Sequence, residues 1–435
     1  MSELTPKKIA ALRKKIEKRD SVFAEKKYLD FLYLPSKIIG RESQAESILG
    51  NIMSLRDGFV VPMISVYGRS GSGKSTVVKF VLENLSDIVS YRFVNLRKAK
   101  TVFGCANLIL SELGSTNLSS AEGINKAIDL MEKNIESILI HDGKKFFVLV
   151  LDEYDVIFSD RRGNPSDFVY KILQLEENLR EKGFVVCTIT ISNNALDDYT
   201  LDDRVKSRMG GCEIFFRPYG QSDVFGILKD RARHAFRISV PDDTLEYCAL
   251  LSSDDHGDAR RALDLLRAAG EACNGKTISR DDVDNAKITL QKDRATFLVS
   301  QSSIHQRVII GALCSLSLFG SSWNSTSEIY KKYSVLIGKT KPLSYRRIVD
   351  LLVELENYGL FASRTISRGR YGYGNEYKLK ISPDMLGPAV SQEWWDSTIQ
   401  SKKDQDARRE YLETLNSFGS PLSKRYSKLL DKYGL

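Results

Sequence analysis

Residues 68–75 of the chain read Gly-Arg-Ser-Gly-Ser-Gly-Lys-Ser, with a short apolar segment before them (61–67) and apolar residues at helical spacing after them (76–85). A strand, a glycine-rich turn and a helix in this order are typical of a phosphate-binding loop. The glycines let backbone N–H groups converge on a phosphate, and the helix start adds its positive dipole. Lys74 is expected to reach the β- and γ-phosphates, and the Ser75 hydroxyl to bind Mg²⁺. The alternative is a chance match, which the flanking strand and helix disfavour.

A second apolar segment, 145–151, ends in Asp152 and Glu153. Such an uninterrupted run predicts a strand that is buried on both faces of a parallel sheet. Asp152, at the end of this strand, is the predicted magnesium ligand, and Glu153 is placed to polarise an attacking water. The alternative is an acidic cap at a strand end, and the phosphate-binding loop upstream argues against it.

Two further stretches carry candidate nucleotide contacts. Residues 35–42 read Pro-Ser-Lys-Ile-Ile-Gly-Arg-Glu, and this pattern predicts an adenine pocket built from backbone groups and from Ile38 and Ile39. The predicted strand 184–191 is followed by Asn193, whose side chain is a candidate for orienting water against the γ-phosphate. Taken alone, an asparagine at this position is also typical of a turn.

Three arginines are candidates for contact with the terminal phosphate. Arg204 and Arg208 lie four residues apart, so a helix would put both on one face, from which one of them can reach the nucleotide of a neighbouring subunit. A surface helix with salt bridges is the alternative. Arg260 lies in a helix predicted to start at Gly257, where it can contact the γ-phosphate or simply be a basic residue on an amphipathic helix.

Composition limits the class of protein. The chain has 435 residues, 42% of them hydrophobic, which suggests two or three globular domains. No apolar run approaches the roughly 18 residues of a membrane span, and the lysine-rich N-terminus lacks a secretory pattern, so we expect an intracellular, cytoplasmic protein. Six cysteines without a Cys-x-x-Cys pair and only four histidines predict reduced thiols rather than a zinc site.

The positive charge is concentrated in the last third of the chain. Residues 301–435 hold 20 Lys and Arg against 13 Asp and Glu, a net charge of +7 out of the total of +8. This distribution indicates a polyanionic partner, and a solubilising surface is the alternative.

Residues 303–383 predict a winged helix-turn-helix. Three helical segments (304–318, 325–333 and 343–356) precede a β-hairpin at 360–381. The third helix begins with basic and aromatic residues, at the end that enters a major groove in this architecture. The hairpin tip is rich in Gly, Arg and Tyr, which suits phosphate contact and minor-groove insertion. A winged helix that binds protein is the alternative, and arginines at both places favour DNA.

The order of these motifs over residues 34–270 resembles the AAA+ ATPases of the origin-recognition and replication-initiator family, in its archaeal single-chain form. The resemblance implies an α/β fold: a parallel P-loop sheet, an all-α lid and a C-terminal winged helix. We expect a basic N-terminal arm (1–30), a nucleotide-binding base (31–220), a lid (221–295), a winged-helix domain (300–383) and a charged helical extension (384–435).

Roles are assigned by the match to the family. The resemblance implies that Glu153 is the catalytic base, Asn193 the first sensor, Arg260 the second sensor and Arg208 the trans-acting finger. The expected contacts with ATP or ADP are Ile39, Gly40, Arg41, Gly68, Ser70, Gly71, Ser72, Gly73, Lys74, Ser75 and Thr76, with Ser75 and Asp152 as Mg²⁺ ligands. The expected DNA contacts are Arg97, Lys98 and Lys100 in a family insertion, and Tyr345, Arg346, Arg347, Arg368, Arg370 and Tyr371 in the winged helix.

The sequence therefore predicts a DNA replication initiator with a slow ATPase that acts as a switch. Its expected partners are double-stranded origin DNA, the replicative helicase and other initiator paralogues, with no membrane, and its expected place is at the nucleoid. The alternative is a remodelling or signalling ATPase whose winged helix docks a protein. A clamp-loader subunit is disfavoured because the chain reads Ser207-Arg208-Met209 where that family has Ser-Arg-Cys.

Overall fold

A computed structural model describes residues 8, 9, 13, 22–59, 61–160, 163–208, 211–254, 257–320, 322–338, 340–367 and 373–417. The chain divides into two compact units, residues 1–286 and 287–435. Most of the predicted basic arm (1–30) lies outside the described residues.

The first unit is built on five parallel strands. They are β1 (Met63–Gly68), β2 (Val89–Asn95), β3 (Phe146–Asp152), β4 (Val185–Ser192) and β5 (Cys212–Phe216). Their order across the sheet is β2-β3-β4-β1-β5, and each neighbouring pair is parallel. The carboxyl ends of parallel strands meet at one edge, so the residues that follow β1, β3 and β4 lie side by side.

Helices cover both faces of this sheet. They are α1 (Glu42–Met53), α2 (Lys74–Glu83), α3 (Val102–Glu112), α4 (Gly123–Asp142), α5 (Pro165–Glu181) and α6 (Asp203–Arg208). Alternate residues of β3 point to opposite faces: Phe147 and Leu149 pack with α3, α4 and α5, and Val148 and Val150 pack with α1 and α2. Burial on both faces explains why these strands are uninterrupted apolar runs.

Helices follow the sheet in the described residues, where the sequence analysis expects an all-α lid (221–295). They are α7 (Gln221–Ala235), α8 (Asp242–Asp254), α9 (Ala259–Ala272) and α10 (Arg280–Gln301). The prediction that a helix starts at Gly257 was wrong by two residues. Gly257 is left-handed (φ +68°), and a Cβ there would lie 2.4 Å from the Tyr219 carbonyl oxygen, so it forms the turn before α9. Asp258 is the N-cap, and its side chain accepts from Arg260 N, which places Arg260 in the first turn.

The second unit has the elements of a winged helix. Its helices are α11 (Ile304–Phe319), α12 (Thr326–Leu336), α13 (Tyr345–Asn357), α14 (Pro383–Val390) and α15 (Gln392–Ser417), and its strands are β6 (Asn324–Ser325), β7 (Phe361–Ser367) and β8 (Tyr373–Leu379). The strands form an antiparallel sheet in the order β6-β8-β7. Capping boxes at Ser303 and Ser325 start α11 and α12, because each serine and the residue three positions on satisfy each other's backbone N–H groups.

Candidate nucleotide site and DNA-binding surface

The loop between β1 and α2 requires glycine at Gly71 and Gly73. Both have left-handed backbones (φ +76° and +90°), and a Cβ on Gly71 would lie 1.9 Å from Asp258 Oδ1 while one on Gly73 would lie 2.3 Å from the Tyr219 hydroxyl. The phosphate-binding loop is therefore packed against the N-cap of α9 and against the segment between β5 and α7.

Lys74 is buried at the start of α2. Its Nζ donates to the carbonyl oxygens of Gly68 (2.5 Å) and Arg69 (2.9 Å), and lies 3.4 Å from Asn193 Oδ1. Burial lowers the pKa of the Lys74 amine, with Asp152 opposing this and Arg260 adding to it. The amine is held on carbonyl oxygens that the oxygens of a phosphate can replace.

Ser75 and Asp152 come together as a pair of oxygen ligands. Ser75 Oγ donates to Asp152 Oδ2 at 3.1 Å, and the Asn95 amide lies 3.5 Å from the same oxygen. Within the described ranges no group of three or more His, Cys, Asp or Glu side chains could hold a metal ion. A hydroxyl and one carboxylate beside a phosphate site suit Mg²⁺, which keeps several waters and takes its remaining ligands from the phosphates.

Glu153 is strained where it follows β3. Of the residues that the structure describes, it is the single non-glycine with a positive φ, at 56°. Residues held in this region cost about 1–3 kcal/mol and often lie at functional sites. Its Oε1 lies 3.9 Å from Arg97 Nη1, so the predicted base and a predicted DNA contact are neighbours.

Asn193 is oriented by Asp155, a residue that the sequence analysis missed. Asp155 Oδ2 accepts from the backbone N–H (2.9 Å) and the side-chain amide (3.2 Å) of Asn193. This leaves the amide oxygen of Asn193 facing Lys74. Tyr199 donates a short hydrogen bond to Asp155 Oδ1, and the pKa of Tyr199 is raised by its burial and by this carboxylate.

Lys74, Ser75, Asp152, Glu153 and Asn193 line one small cavity at the edge of the sheet. Its wall is formed by Ser70, Lys74, Ser75, Asp152, Glu153, Ile191, Ser192, Asn193 and Arg260. The residues come from the phosphate-binding loop, the ends of β3 and β4, and α9. Two cations, three serines, two carboxylates and an amide thus line one space.

A larger cavity adjoins the same loop. Its wall is formed by Asp30, Phe31, Tyr33, Pro35, Lys37, Ile38, Ile39, Gly71, Ser72, Gly73, Lys74, Ser75, Thr76, Tyr219, Ile227, Asp230, Arg231, Ala259, Arg260 and Leu263. Ile38 and Ile39 lie on its wall, as the predicted adenine pocket requires. Its wall combines the phosphate-binding loop with apolar and charged side chains, a mixture that suits a nucleotide.

Arg231, on the wall of this cavity, was also missed. It is 7% exposed, its guanidinium lies 4.6 Å from the centroid of the Tyr33 ring, and its Nη1 has no hydrogen-bond partner among the described residues. Burial lowers the pKa of Arg231. One sequence signal was available: Arg231 follows Val224 and Leu228 on the buried stripe of α7, where a cation is unusual.

Gly40 and Arg41 lie beside the site. Arg41 is fully buried, and its guanidinium donates to the carbonyl oxygens of Ser72, Arg217 and Gly40 at 3.0, 2.6 and 3.1 Å. Neither residue belongs to the wall of the two cavities described above. Their predicted direct contact with the nucleotide gains no support from this placement.

Arg208 lies away from both cavities of its own chain. Its Nη1 forms an ion pair with Glu177 at 2.8 Å, and its guanidinium lies 4.8 Å from the centroid of the Tyr170 ring. Arg204 is exposed and lies 3.6 Å from Asp202. A residue that acts on a neighbouring subunit would lie on such an outer surface, and so would a residue of a surface salt bridge.

In the second unit, the start of α13 presents three exposed side chains. Tyr345, Arg346 and Arg347 follow the N-cap Ser344. Arg347 is shared between Asp350 (3.8 Å) and Glu354 on its own helix. Arg368, Arg370 and Tyr371, at the predicted wing tip, lie outside the described residues. In the first unit, Arg97, Lys98 and Lys100 are exposed between β2 and α3.

All six cysteines are free, and five are buried. Burial raises the pKa of the Cys105 and Cys248 thiols to about 12. No helix among the described residues is long and apolar enough to cross a membrane.

The sheet, its phosphate-binding loop and the helices after it define an AAA+ ATPase that carries a winged helix. Three family models match: the ATPase family associated with various cellular activities over residues 64–211, the Cdc6 AAA+ ATPase-type lid domain over 225–288, and the CDC6 C-terminal winged-helix domain over 298–387. The chain is 31% identical over 397 residues to ORC1-type DNA replication protein 1 of Sulfurisphaera tokodaii, covering 88% of this chain and 96% of that protein. The chain belongs to the ORC1/Cdc6 family of DNA replication initiators.

Two solved structures share this fold. The structure of the Aeropyrum pernix ORC1 protein in complex with DNA matches with a TM-score of 0.70 and 28% identity, over 87% of this chain and 99% of that one. The Aeropyrum pernix ORC2 protein, in ADPNP–ADP complexes, shares the fold with a TM-score of 0.56 and 21% identity, over 88% of this chain and 99% of that one.

Proposed function

We propose that this protein is an ATP-dependent replication initiator that binds origin duplex DNA, hydrolyses ATP slowly as a switch, and helps to recruit the replicative helicase. The observation that carries the proposal is the small cavity in which Lys74, Asp152, Glu153, Asn193 and Arg260 converge from four parts of the first unit. This set combines phosphate binding, a metal ligand, a base and two groups able to report the terminal phosphate.

Each side chain has a chemical role in the proposed reaction. Lys74 leaves its carbonyl partners and binds the β- and γ-phosphates, and Asn193, held by Asp155, orients the attacking water. Glu153 accepts the proton of that water. Mg²⁺, when bound by Ser75 and Asp152, neutralises the charge that develops on the phosphates.

Slow hydrolysis of ATP is expected because a single chain does not complete its own catalytic site. In an isolated chain, Arg208 is paired with Glu177 and supplies no charge to its own cavity, so hydrolysis waits for a neighbouring subunit. An arginine finger contributes roughly 10³- to 10⁵-fold to the rate of phosphoryl transfer. Binding of ATP and its conversion to ADP then become separate events, as a switch requires. A paralogous initiator or a second copy of this chain is the proposed donor of the finger.

DNA binding is proposed for exposed cations in both units. In the second unit these are Arg346 and Arg347, beside Tyr345 at the start of α13, and in the first unit Arg97, Lys98 and Lys100. Among the residues that the structure describes, the ion pairs of Arg347 are the long ones with Asp350 and Glu354, so a phosphate can compete for it. The Cdc6 winged-helix match and the DNA complex of the Aeropyrum pernix relative support this proposal.

The test is the salt dependence of duplex binding by the full chain. Each phosphate contact contributes about 0.9 to the slope of log K against log salt. Changing Arg346 and Arg347 to Ala should lower the slope by about 1 to 2 and weaken binding to all duplexes. The matched control changes Lys292 and Lys403, two exposed lysines of the same unit, and should leave the slope unchanged. Equal slopes in the two double variants would contradict the proposed surface.

Helicase recruitment and origin preference need separate measurements. A selection on genomic duplex fragments should enrich a limited set of sites, and a protein-docking ATPase would enrich none. The purified replicative helicase should bind the immobilised initiator more tightly when the initiator holds nucleotide. A helicase that binds the Lys74→Met variant as well as the unchanged protein would contradict the proposed switch.

A further inference from the structure

Arg41 joins three segments of the first unit. Its Nε donates to Ser72 O in the phosphate-binding loop (3.0 Å), its Nη2 to Arg217 O just after β5 (2.6 Å), and its Nη1 to Gly40 O (3.1 Å). The side chain is 0% exposed. A buried charge is costly unless it is well hydrogen-bonded, so a fixed cation at this place requires an explanation beyond packing.

Tyr219 extends this cluster toward the lid. Its ring centroid lies 3.8 Å from the Arg41 guanidinium carbon. Tyr219 also closely approaches both Gly73 and Gly257, since a Cβ on either glycine would lie within 2.4 Å of a Tyr219 oxygen. Residues 217–220 connect the sheet to α7, so Arg41 and Tyr219 fix this connection against the phosphate-binding loop.

The turn at Gly257 leads directly into α9 and Arg260. Gly257 packs on the backbone of Tyr219, Asp258 packs on Gly71, and Ala259 N lies 3.4 Å from Gly71 O. A continuous series of contacts therefore runs from Arg41 through Tyr219 to the first turn of α9. Any shift of the connection would move Arg260 relative to the phosphate-binding loop.

We propose that Arg41 is a positioning residue: it fixes residues 217–220 against the phosphate-binding loop, so that Arg260 faces the γ-phosphate and the site prefers ATP over ADP. This inference rests on the proposed function, because Arg260 is the residue through which Arg41 acts. Arginine suits this role and lysine does not, because the planar guanidinium donates in three directions and stacks on a ring at the same time.

The test compares ATP and ADP affinities, measured by calorimetry, in Arg41→Lys and Arg260→Ala and in the double variant. We expect Arg41→Lys to reduce the ratio of ATP to ADP affinity about tenfold, the equivalent of one charge-assisted contact. In the Arg260→Ala background the same change should leave the ratio unaltered. The control is Arg217→Lys, which keeps both the charge of Arg217 and the backbone carbonyl that accepts from Arg41, and it should behave as the unchanged protein.

Tyr219 provides an independent variant in case Arg41→Lys fails to fold. Tyr219→Leu removes the ring face that stacks on Arg41 and should lower the ratio of ATP to ADP affinity as Arg41→Lys does. Equal losses of ATP and ADP affinity in Arg41→Lys or Tyr219→Leu would overturn the inference, because a merely structural role weakens both nucleotides alike. If Arg260→Ala itself leaves the ratio unchanged, the proposed role of Arg260 fails and this inference fails with it. If only Arg260→Ala lowers the ratio, the inference about Arg41 alone is refuted.

Discussion

Replacing Lys74 by Met should separate nucleotide binding from folding. Met keeps the length of the side chain and removes its charge. In the nucleotide-free protein, the two hydrogen bonds to Gly68 O and Arg69 O are lost, at about 0.5–1.5 kcal/mol each. The charge no longer has to be buried, which offsets this loss. We therefore expect the free energy of unfolding without nucleotide to change by about 1 kcal/mol or less.

The loss should instead appear in the binding of ATP. A charge-assisted contact with phosphate is worth about 1.5–3 kcal/mol, or about 10- to 150-fold in affinity. At an ATP concentration of 100 times Kd, the ligand stabilises the unchanged protein by about 2.7 kcal/mol. A 100-fold weaker variant at the same concentration would gain only about 0.4 kcal/mol.

Thermal unfolding with and without ATP and Mg²⁺ measures this difference. Lys79→Met is the matched control, since Lys79 lies on the same helix with its amine over the Phe93 ring. An ATP-dependent stabilisation that persists in Lys74→Met, or is lost equally in Lys79→Met, would refute the assignment of the loop.

The burial of Lys74 should also make the free energy of unfolding depend on pH. The pKa of Lys74 in the folded protein is lowered from its ordinary 10.5, so the unfolded chain binds more protons just below that pH. Stability without nucleotide should therefore rise with pH in this window. Lys74→Met should remove this rise, and a variant with an unchanged slope would contradict it.

Three further predictions concern hydrolysis and the loop. Glu153→Gln should leave ATP affinity unchanged and slow phosphate release by about 10²- to 10⁴-fold, whereas an unchanged rate would exclude Glu153 as the base. Arg208→Ala should reduce the rate of ATP hydrolysis, and added Lys74→Met protein should restore it because that variant still carries Arg208. Arg204→Ala serves as the control. A loss of hydrolysis that the added protein does not restore would contradict action in trans. Gly71→Ala should destabilise the protein by clearly more than the roughly 1 kcal/mol expected for Gly58→Ala. Both glycines are left-handed, but of the two only Gly71 has neighbouring atoms where a Cβ would lie. Equal melting temperatures of the two variants would refute that contact.

The site residues of the first unit were predictable because most of them come directly after the end of a strand. The loop before Lys74, the carboxylates after β3 and Asn193 after β4 each stand next to an apolar segment that is recognisable alone. In a parallel sheet those ends share an edge, so local patterns were sufficient to bring the side chains together.

The supporting residues were not predictable in this way. Arg41 looked like a nucleotide contact because it lies in the motif, yet its partner Arg217 O is 176 residues away, and its burial depends on Tyr219. Asp155 and Arg231 likewise contact residues that are distant in the sequence, namely Asn193 and Tyr33. The start of α9 was misplaced because the left-handed turn at Gly257 is imposed by packing on Tyr219, which no helical pattern records.

The central claim is that one site in the first unit binds ATP through the loop, the strand ends and α9 together. A crystal structure of the full chain with a non-hydrolysable ATP analogue and Mn²⁺ would test it most directly. We predict an anomalous peak for the metal beside Ser75 Oγ and Asp152 Oδ2, with the γ-phosphate within hydrogen-bond distance of Lys74 and Arg260. A metal peak away from this pair, or a nucleotide bound outside the two cavities, would contradict the account.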